Sequence, residues 1–146
     1  LLYHDLTDER RLERVLKKMR RLEWPEVLPE VTKVMLSSVC KGRYHQVHLV
    51  AGLAQGLGRY HGHLPVRLAD LLLERVRQGL EEQQRRNLGA AAAGAAAVRP
   101  QQRVAQMRLL GELYAYRLVA HQVVFDTLYL LLFFGYDRST AAGDAD

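Results

Sequence analysis

Residues Pro65 to Gln84 read PVRLADLLLERVRQGLEEQQ, and this stretch decides the fold. Pro65 suits the first position of a helix, where the N–H that it lacks would have no partner within the helix. The large aliphatic residues recur at three- and four-residue spacing and share one side of a helix; they are Leu68, Leu72, Leu73, Val76 and Leu80. The stretch therefore predicts an amphipathic helix that packs against other helices.

Similar periodicity along the rest of the chain predicts further helices. They cover approximately residues 8–23, 31–41, 44–60, 101–116 and 119–134. Gly52, Gly56 and Gly58 lie within the third helix and allow a neighbouring helix to approach closely. Ala, Leu, Arg and Gln are frequent, whereas Ile and Thr are scarce, which favours helix over strand. The sequence therefore predicts an all-α fold of antiparallel helical hairpins stacked as a HEAT-like superhelix.

The 146 residues suffice for one domain, which we place at residues 1–135. The segment Leu88 to Arg99, LGAAAAGAAAVR, is of low complexity and carries almost no large apolar side chain, so we expect a mobile connection there. Residues 136–146 are expected to form a polar, frayed tail. The first residue is not Met, which indicates a piece of a longer polypeptide.

Composition narrows the classes of protein and of partner. Apolar residues make up 49% and charged residues 25%, which is typical of a globular protein. The net charge of +5 permits attraction to RNA, DNA or acidic proteins. The longest apolar run, Leu128 to Phe134, is much shorter than the roughly 20 residues of a membrane span, so no membrane partner is expected. A single cysteine, Cys40, fits a reducing compartment, either cytosol or nucleus.

No motif for catalysis is found. The chain lacks a GxxxxGK[ST] phosphate loop, a dinucleotide-binding glycine fingerprint and a GxSxG elbow, so neither an enzyme nor a cofactor is predicted. His45, His48, His61 and His63 lie near Cys40, but their spacing fits no zinc motif. We interpret them as ordinary surface or hydrogen-bonded histidines and predict no metal site.

The helix at residues 65–84 carries three carboxylates along one edge. At about 100° per residue, Asp70, Glu74 and Glu81 project within about 40° of one another. This edge lies away from the Leu72, Val76 and Leu80 side, so the carboxylates face solvent or a basic partner. The residues alone favour a solvated face, on which Arg77 can pair with Glu74.

The first helix carries the opposite charge. Arg10, Arg14, Lys17, Lys18 and Arg21, with Arg11 and Arg20 beside them, could contact RNA phosphates. Glu9 and Glu13 interleave with them, and no exposed aromatic ladder is recognisable for base stacking. A solvated helix face is therefore the favoured interpretation, and any RNA binding is expected to be weak and salt-sensitive.

The segment Leu109 to Tyr116, LLGELYAY, resembles a signature of the helical middle domain of initiation factor 4 gamma, hydrophobic-Gly-Glu-Leu-aromatic. Further stretches resemble the third such domain in the regulator of nonsense transcripts 2 family, which acts in nonsense-mediated mRNA decay. They are VLKKMRRLEW at 15–24, YHQVHLVAGLAQGL at 44–57 and DLLLERVRQGLE at 70–81, followed by GELYAYRLV at 111–119 and FDTLY at 125–129.

The resemblance implies an adaptor that binds the basic RNA-recognition-motif domain of regulator of nonsense transcripts 3. It places the contact at Asp70, Glu74 and Glu81, and it links the exon-junction complex indirectly to the decay helicase. It also implies a cytoplasmic, perinuclear or nuclear location. The family's connection at residues 88–99 is shorter, and its domain continues past the position of Gly135, so we expect a lineage-specific insertion and a C-terminally incomplete domain.

Two alternatives stay open beside this hypothesis. One is a middle domain from another RNA-processing or translation scaffold, which would dock a helicase. The other is a weak RNA-binding module that uses the basic first helix.

Overall fold

The computed structural model describes residues 9–24, 26–41, 44–87 and 100–140. Within these ranges the chain forms helices and no strand, as the sequence predicts. The helices are α1 (Glu9–Met19), α2 (Leu28–Lys41), a short 3-10 helix (Tyr44–Gln46), α3 (Val47–Gly58), α4 (His63–Asn87), α5 (Pro100–Ala115) and α6 (His121–Thr140). None of these helices combines the length and the apolar character that crossing a bilayer requires. The predicted connection at residues 88–99 lies outside the described residues.

The helices stack in two rows. Each helix from α1 to α4 packs against the helix two further along the chain, so α1, α3 and α5 form one row while α2, α4 and α6 form the other. Helices that follow each other from α2 onward also touch, which joins the rows. This arrangement is the predicted stack of helical hairpins, and the all-α, HEAT-like architecture is therefore confirmed.

The core lies between the two rows. Leucines from α3, α4 and α5 are fully enclosed there; they are Leu53, Leu57, Leu64, Leu68, Leu72, Leu109 and Leu113. Burial of one such side chain contributes about 1.5–3 kcal/mol relative to leaving it in water. On α4, the inner side predicted from sequence is buried at Leu68, Leu72, Val76 and Leu80, and Leu73 packs partly buried against the same core. The periodicity of this helix thus sets its orientation in the fold.

The glycines of α3 permit the close packing that the sequence predicts. A Cβ atom built on Gly56 would lie 2.9 Å from the Cδ2 atom of Leu16 in α1. One built on Gly52 would lie 3.6 Å from Cδ2 of Leu12 in the same helix. Helix α1 therefore rests directly on the α3 backbone at these positions.

Several predicted helix boundaries differ from the structure by two to four residues. Helix α1 ends at Met19 rather than near Glu23, because the indole of Trp24 donates a hydrogen bond to the Met19 carbonyl at 3.1 Å and the intervening residues form turns. Helix α4 begins at His63 rather than Pro65, since Leu64 N–H already bonds to the His61 carbonyl at 3.0 Å. Pro65 still lies in the first turn, where an amide N–H has no partner within the helix.

The final helix also extends further than predicted. Helix α6 continues through Gly135 to Thr140. The predicted helix end at residue 134 is therefore wrong, and so is the predicted frayed tail over residues 136–140. A single glycine costs a helix only about 1 kcal/mol and does not terminate it unless it adopts the left-handed conformation. Residues 141–146 lie outside the described residues.

The turn from α5 to α6 is a Schellman motif. Leu118 N–H bonds to the Leu113 carbonyl and Arg117 N–H to the Tyr114 carbonyl, both at 2.9 Å. Arg117 has a φ of 58°, at the position where this motif usually has glycine. The turn reverses the chain and so directs α6 back along α5.

Candidate functional site

The three carboxylates predicted from helical projection lie on one continuous helix. Asp70, Glu74 and Glu81 are all exposed on α4, on the side opposite the buried Leu72 and Val76. At 1.5 Å per residue, Asp70 and Glu81 are separated by about 16 Å along the helix axis. We name Asp70, Glu74 and Glu81 the acidic edge; their shared, outward-facing placement agrees with the prediction.

The acidic edge is only weakly engaged within the chain. Glu74 accepts a hydrogen bond from the Gln78 amide at 2.8 Å, rather than pairing with Arg77. Glu81 lies 3.9 Å from the Arg85 guanidinium, and its side chain is 47% exposed. Asp70 has no ion pair or hydrogen bond with the described part of the chain. Exposed pairs of this kind contribute about 0–1 kcal/mol, so a partner could replace them at low cost.

The acidic edge is not a uniform block of negative charge. Arg77 is exposed between Glu74 and Glu81, and it projects within about 60° of both. Val66, exposed one turn before Asp70, adds an apolar contact at one end. A partner matched to this surface would therefore present basic groups to the carboxylates and an acceptor or an open space to Arg77.

The candidate RNA-contacting residues lie on α1 and the turn after it. Arg14, Lys17, Lys18 and Arg21 are exposed. Their spacing of three and four residues puts the first three on one helix face, away from the buried Val15 and Met19. The backbone of Arg10 belongs to the same helix, and its side chain lies outside the described residues.

The structure contains an aromatic site near these basic residues that the sequence does not predict. The guanidinium of Arg20 lies 4.3 Å from the centroid of the Tyr60 ring, and Tyr60 is 60% exposed. The neighbouring His61 ring stacks on Trp24 with centroids 4.3 Å apart. Because Arg20 and Tyr60 are distant in sequence, only the packing of the α1 end against the α3–α4 turn brings them together.

The histidines and the cysteine do not converge in the described structure. His61 is stacked on Trp24, His63 is exposed at the start of α4, and Cys40 accepts a hydrogen bond from Gln106 at 3.7 Å. Among the described residues, no group of three or more His, Cys, Asp or Glu side chains could hold a metal ion. The His45 side chain lies outside those residues.

One known domain family matches most of the residues of the chain. Residues 2–140 match the MIF4G domain, which agrees with the middle-domain signature at residues 109–116.

Related proteins align with nearly all of this chain. The Regulator of nonsense transcripts UPF2 of Arabidopsis thaliana is 42% identical over 139 residues, which cover 95% of this chain and 11% of that protein. The Regulator of nonsense transcripts 2 proteins of Mus musculus and Homo sapiens are each 33% identical over 148 residues, which cover 100% of this chain. The matched region is 11% of the mouse protein and 10% of the human protein, so the chain spans about a tenth of these relatives. The resemblance to this family is therefore confirmed, and the assignment to its third domain stays a prediction.

Proposed function

Because this chain belongs to the MIF4G domain family, we propose that it is a non-catalytic adaptor module in nonsense-mediated mRNA decay. Its similarity to regulators of nonsense transcripts from a plant and two mammals supports this role. In this proposal the module binds the basic RNA-recognition-motif domain of regulator of nonsense transcripts 3. It thereby links the exon-junction complex to the decay helicase, in the cytoplasm, perinuclear region or nucleus.

The observation that carries the proposal is the acidic edge of α4. An RNA-recognition-motif domain is built on a four-stranded sheet, whose outer strands are about 14 Å apart at 4.7–4.9 Å per strand. The separation of about 16 Å between Asp70 and Glu81 along α4 is similar to that width. One helix laid across such a sheet could therefore reach basic residues on several strands.

The energetics also favour an exchange of partners at this edge. The internal contacts of Glu74 and Glu81 are exposed and contribute little to the free energy of folding. Close charge pairs at a protein interface can have coupling energies of about 1.5–7 kcal/mol. Breaking the internal contacts to form interfacial ones is thus favourable when the partner surface is basic.

The decisive experiment is a charge reversal, Glu81→Lys, followed by calorimetric titration with the RNA-recognition-motif domain of regulator of nonsense transcripts 3. We expect the affinity to fall at least about tenfold, which corresponds to about 1.4 kcal/mol. Helical circular dichroism and the unfolding midpoint should stay unchanged, because Glu81 is exposed and its pair with Arg85 is weak.

A matched control is Asp126→Lys, which makes the same change of charge at an exposed position within α6. This variant should bind the domain with nearly the wild-type affinity at physiological salt. Equal loss in both variants would mean that only net charge matters, and unchanged binding of Glu81→Lys would refute the acidic edge as the contact.

A second candidate is weak RNA binding at the basic end of α1. The observation that favours it is the exposed Tyr60 ring under Arg20, a residue that directly precedes Arg21 and follows Lys17 by three positions in the sequence. A base stacked on an aromatic side chain contributes about 1–3 kcal/mol. Tyr60→Ala should then weaken binding of a single-stranded oligonucleotide, whereas Lys17→Ala should chiefly reduce the dependence of the affinity on salt. Oligonucleotide binding that neither substitution changes would exclude this site.

A further inference from the structure

A second surface of the molecule is an open groove along α5. The groove encloses about 880 Å³, and its walls come from the 3-10 helix, α4, α5 and α6. Its apolar lining includes Tyr44, Val104, Met107 and Leu131. Val104 and Tyr44 are each more than half exposed, so these apolar surfaces face solvent in the described structure. An exposed apolar groove of this kind marks an interaction site more often than an inert surface.

The shape of the groove fits a short helix. Its α5 wall extends from Pro100 to Ala115, which at 1.5 Å per residue is about 22 Å, or about four helical turns. Gly111 lies in this wall, and a Cβ atom built on it would meet nothing within 4 Å. The missing side chain leaves room for a second helix to approach the α5 backbone, in the manner of an amphipathic helix bound in a groove.

The charges at the rim determine which helix fits. Arg108 is already compensated: it lies 3.6 Å from the Glu112 carboxylate and 4.2 Å from the Tyr44 ring centroid. Arg103 instead contacts the neutral amide oxygen of Gln83 at 3.4 Å. Within the described residues Arg103 has no carboxylate partner, so the groove retains one uncompensated positive charge beside its apolar walls.

We propose that this groove binds an acidic amphipathic helix from a partner protein. Apolar side chains of that helix, spaced at three and four residues, would contact Val104, Met107 and Leu131, and a carboxylate would pair with Arg103. Nucleic acid is the poorer fit, because a phosphate backbone needs several cations and the rim offers one that has no carboxylate partner in the described structure. This inference does not depend on the acidic edge or on its proposed partner.

The groove and the acidic edge lie on different sides of α4. Gln83 is the α4 residue that lines the groove, and it projects about 140° or more from each of Asp70, Glu74 and Glu81. Occupants of the two surfaces would therefore not compete for the same side of this helix. An adaptor with both surfaces could hold two partners at once.

The test uses a displayed library of random peptides about four helical turns long, selected on the 146-residue chain. The selected peptides are then compared on two variants, Gly111→Met and Gly111→Ala. Methionine would fill the open space in the groove, whereas alanine would leave most of it empty. Both replacements favour helix over glycine by up to about 1 kcal/mol, so neither should unfold the chain.

We expect enriched peptides that have apolar residues at helical spacing and an excess of Asp and Glu. Gly111→Met should lower their affinity at least about tenfold relative to Gly111→Ala, and Arg103→Glu should shift the selection toward Lys and Arg. The proposal is overturned if no such peptides are enriched, if their affinity is the same for both Gly111 variants, or if Arg103→Glu leaves the charge preference unchanged.

Other occupants of the groove would produce different results. If a second copy of the chain fills it, Gly111→Met will shift the sedimentation coefficient of the chain alone. If residues 88–99 fill it, replacing them with a Gly/Ser linker of equal length will be necessary before any peptide binds. If the expected continuation of the domain fills it, a longer chain that includes this continuation will no longer bind the selected peptides. Each of these results would overturn the assignment to a partner helix.

Discussion

Helix α4 buries one side and helix α6 partly buries one, yet their exposed sides differ in chemistry. On α4 the exposed side carries Asp70, Glu74 and Glu81. On α6 it carries large apolar residues at three- and four-residue spacing; they are Phe125, Leu128, Tyr129, Leu132 and Phe133. The comparison teaches that hydrophobic periodicity predicts the inner side of α4, whereas on α6 apolar character does not distinguish inside from outside.

The largest expected effect on stability comes from a test that replaces one leucine with alanine on each of the two helices. Leu72 in α4 is fully buried and Leu132 in α6 is 67% exposed. We expect Leu72→Ala to lower the free energy of unfolding by about 2–5 kcal/mol, because it leaves a cavity. Leu132→Ala should change it by less than about 0.5 kcal/mol.

Chemical denaturation followed by circular dichroism measures both values. A loss at Leu132 comparable to that at Leu72 would mean that the outer side of α6 is covered in solution, and the contrast between the two helices would disappear.

A smaller effect is expected at two helical glycines, which extend the comparison from side chains to backbone. Gly56 faces inward, and its added Cβ would lie 2.9 Å from Leu16 Cδ2, so Gly56→Ala should destabilise the fold by about 1–3 kcal/mol. Gly111 faces open space, so Gly111→Ala should stabilise the fold by about 0.5–1 kcal/mol through helix propensity alone. The two unfolding midpoints should therefore move in opposite directions from the wild-type value. A shift of the same sign in both would show that propensity outweighs packing at Gly56.

The smallest effect concerns the turn that places α6 against α4 and α5. Arg117 adopts a φ of 58°, which costs a residue with a Cβ about 1 kcal/mol relative to glycine. Arg117→Gly should raise the thermal unfolding midpoint, with a gain of about 0.5–1 kcal/mol, while Arg117→Val should lower it. A lower midpoint for Arg117→Gly would mean that the arginine side chain stabilises the turn by more than its backbone strain costs.

The sequence predicts features that depend on residues within one helix better than features that combine residues from separate helices. The acidic edge follows from helical geometry within α4, and the glycines of α3 identify a close helix contact without saying that Leu16 is the residue involved. The Arg20–Tyr60 pair and the groove along α5 could not be predicted, because each combines residues from separate elements whose relative placement depends on tertiary packing. The predicted end of α6 at residue 134 is wrong because apolar periodicity stops there while the helix continues through Gly135 to Thr140, and a glycine alone does not produce a left-handed turn.

The two-row stack also determines how the chain gains and loses structure. Helices that touch are mostly one or two apart along the chain, and such local topology is typical of rapid folding. Helices α3 and α4 have neighbours before and after them in the stack, whereas α1 packs mainly on α3 and α6 on α4 and α5. Backbone amides of α3 and α4 should therefore exchange with deuterium most slowly, and opening should begin at either end and proceed inward.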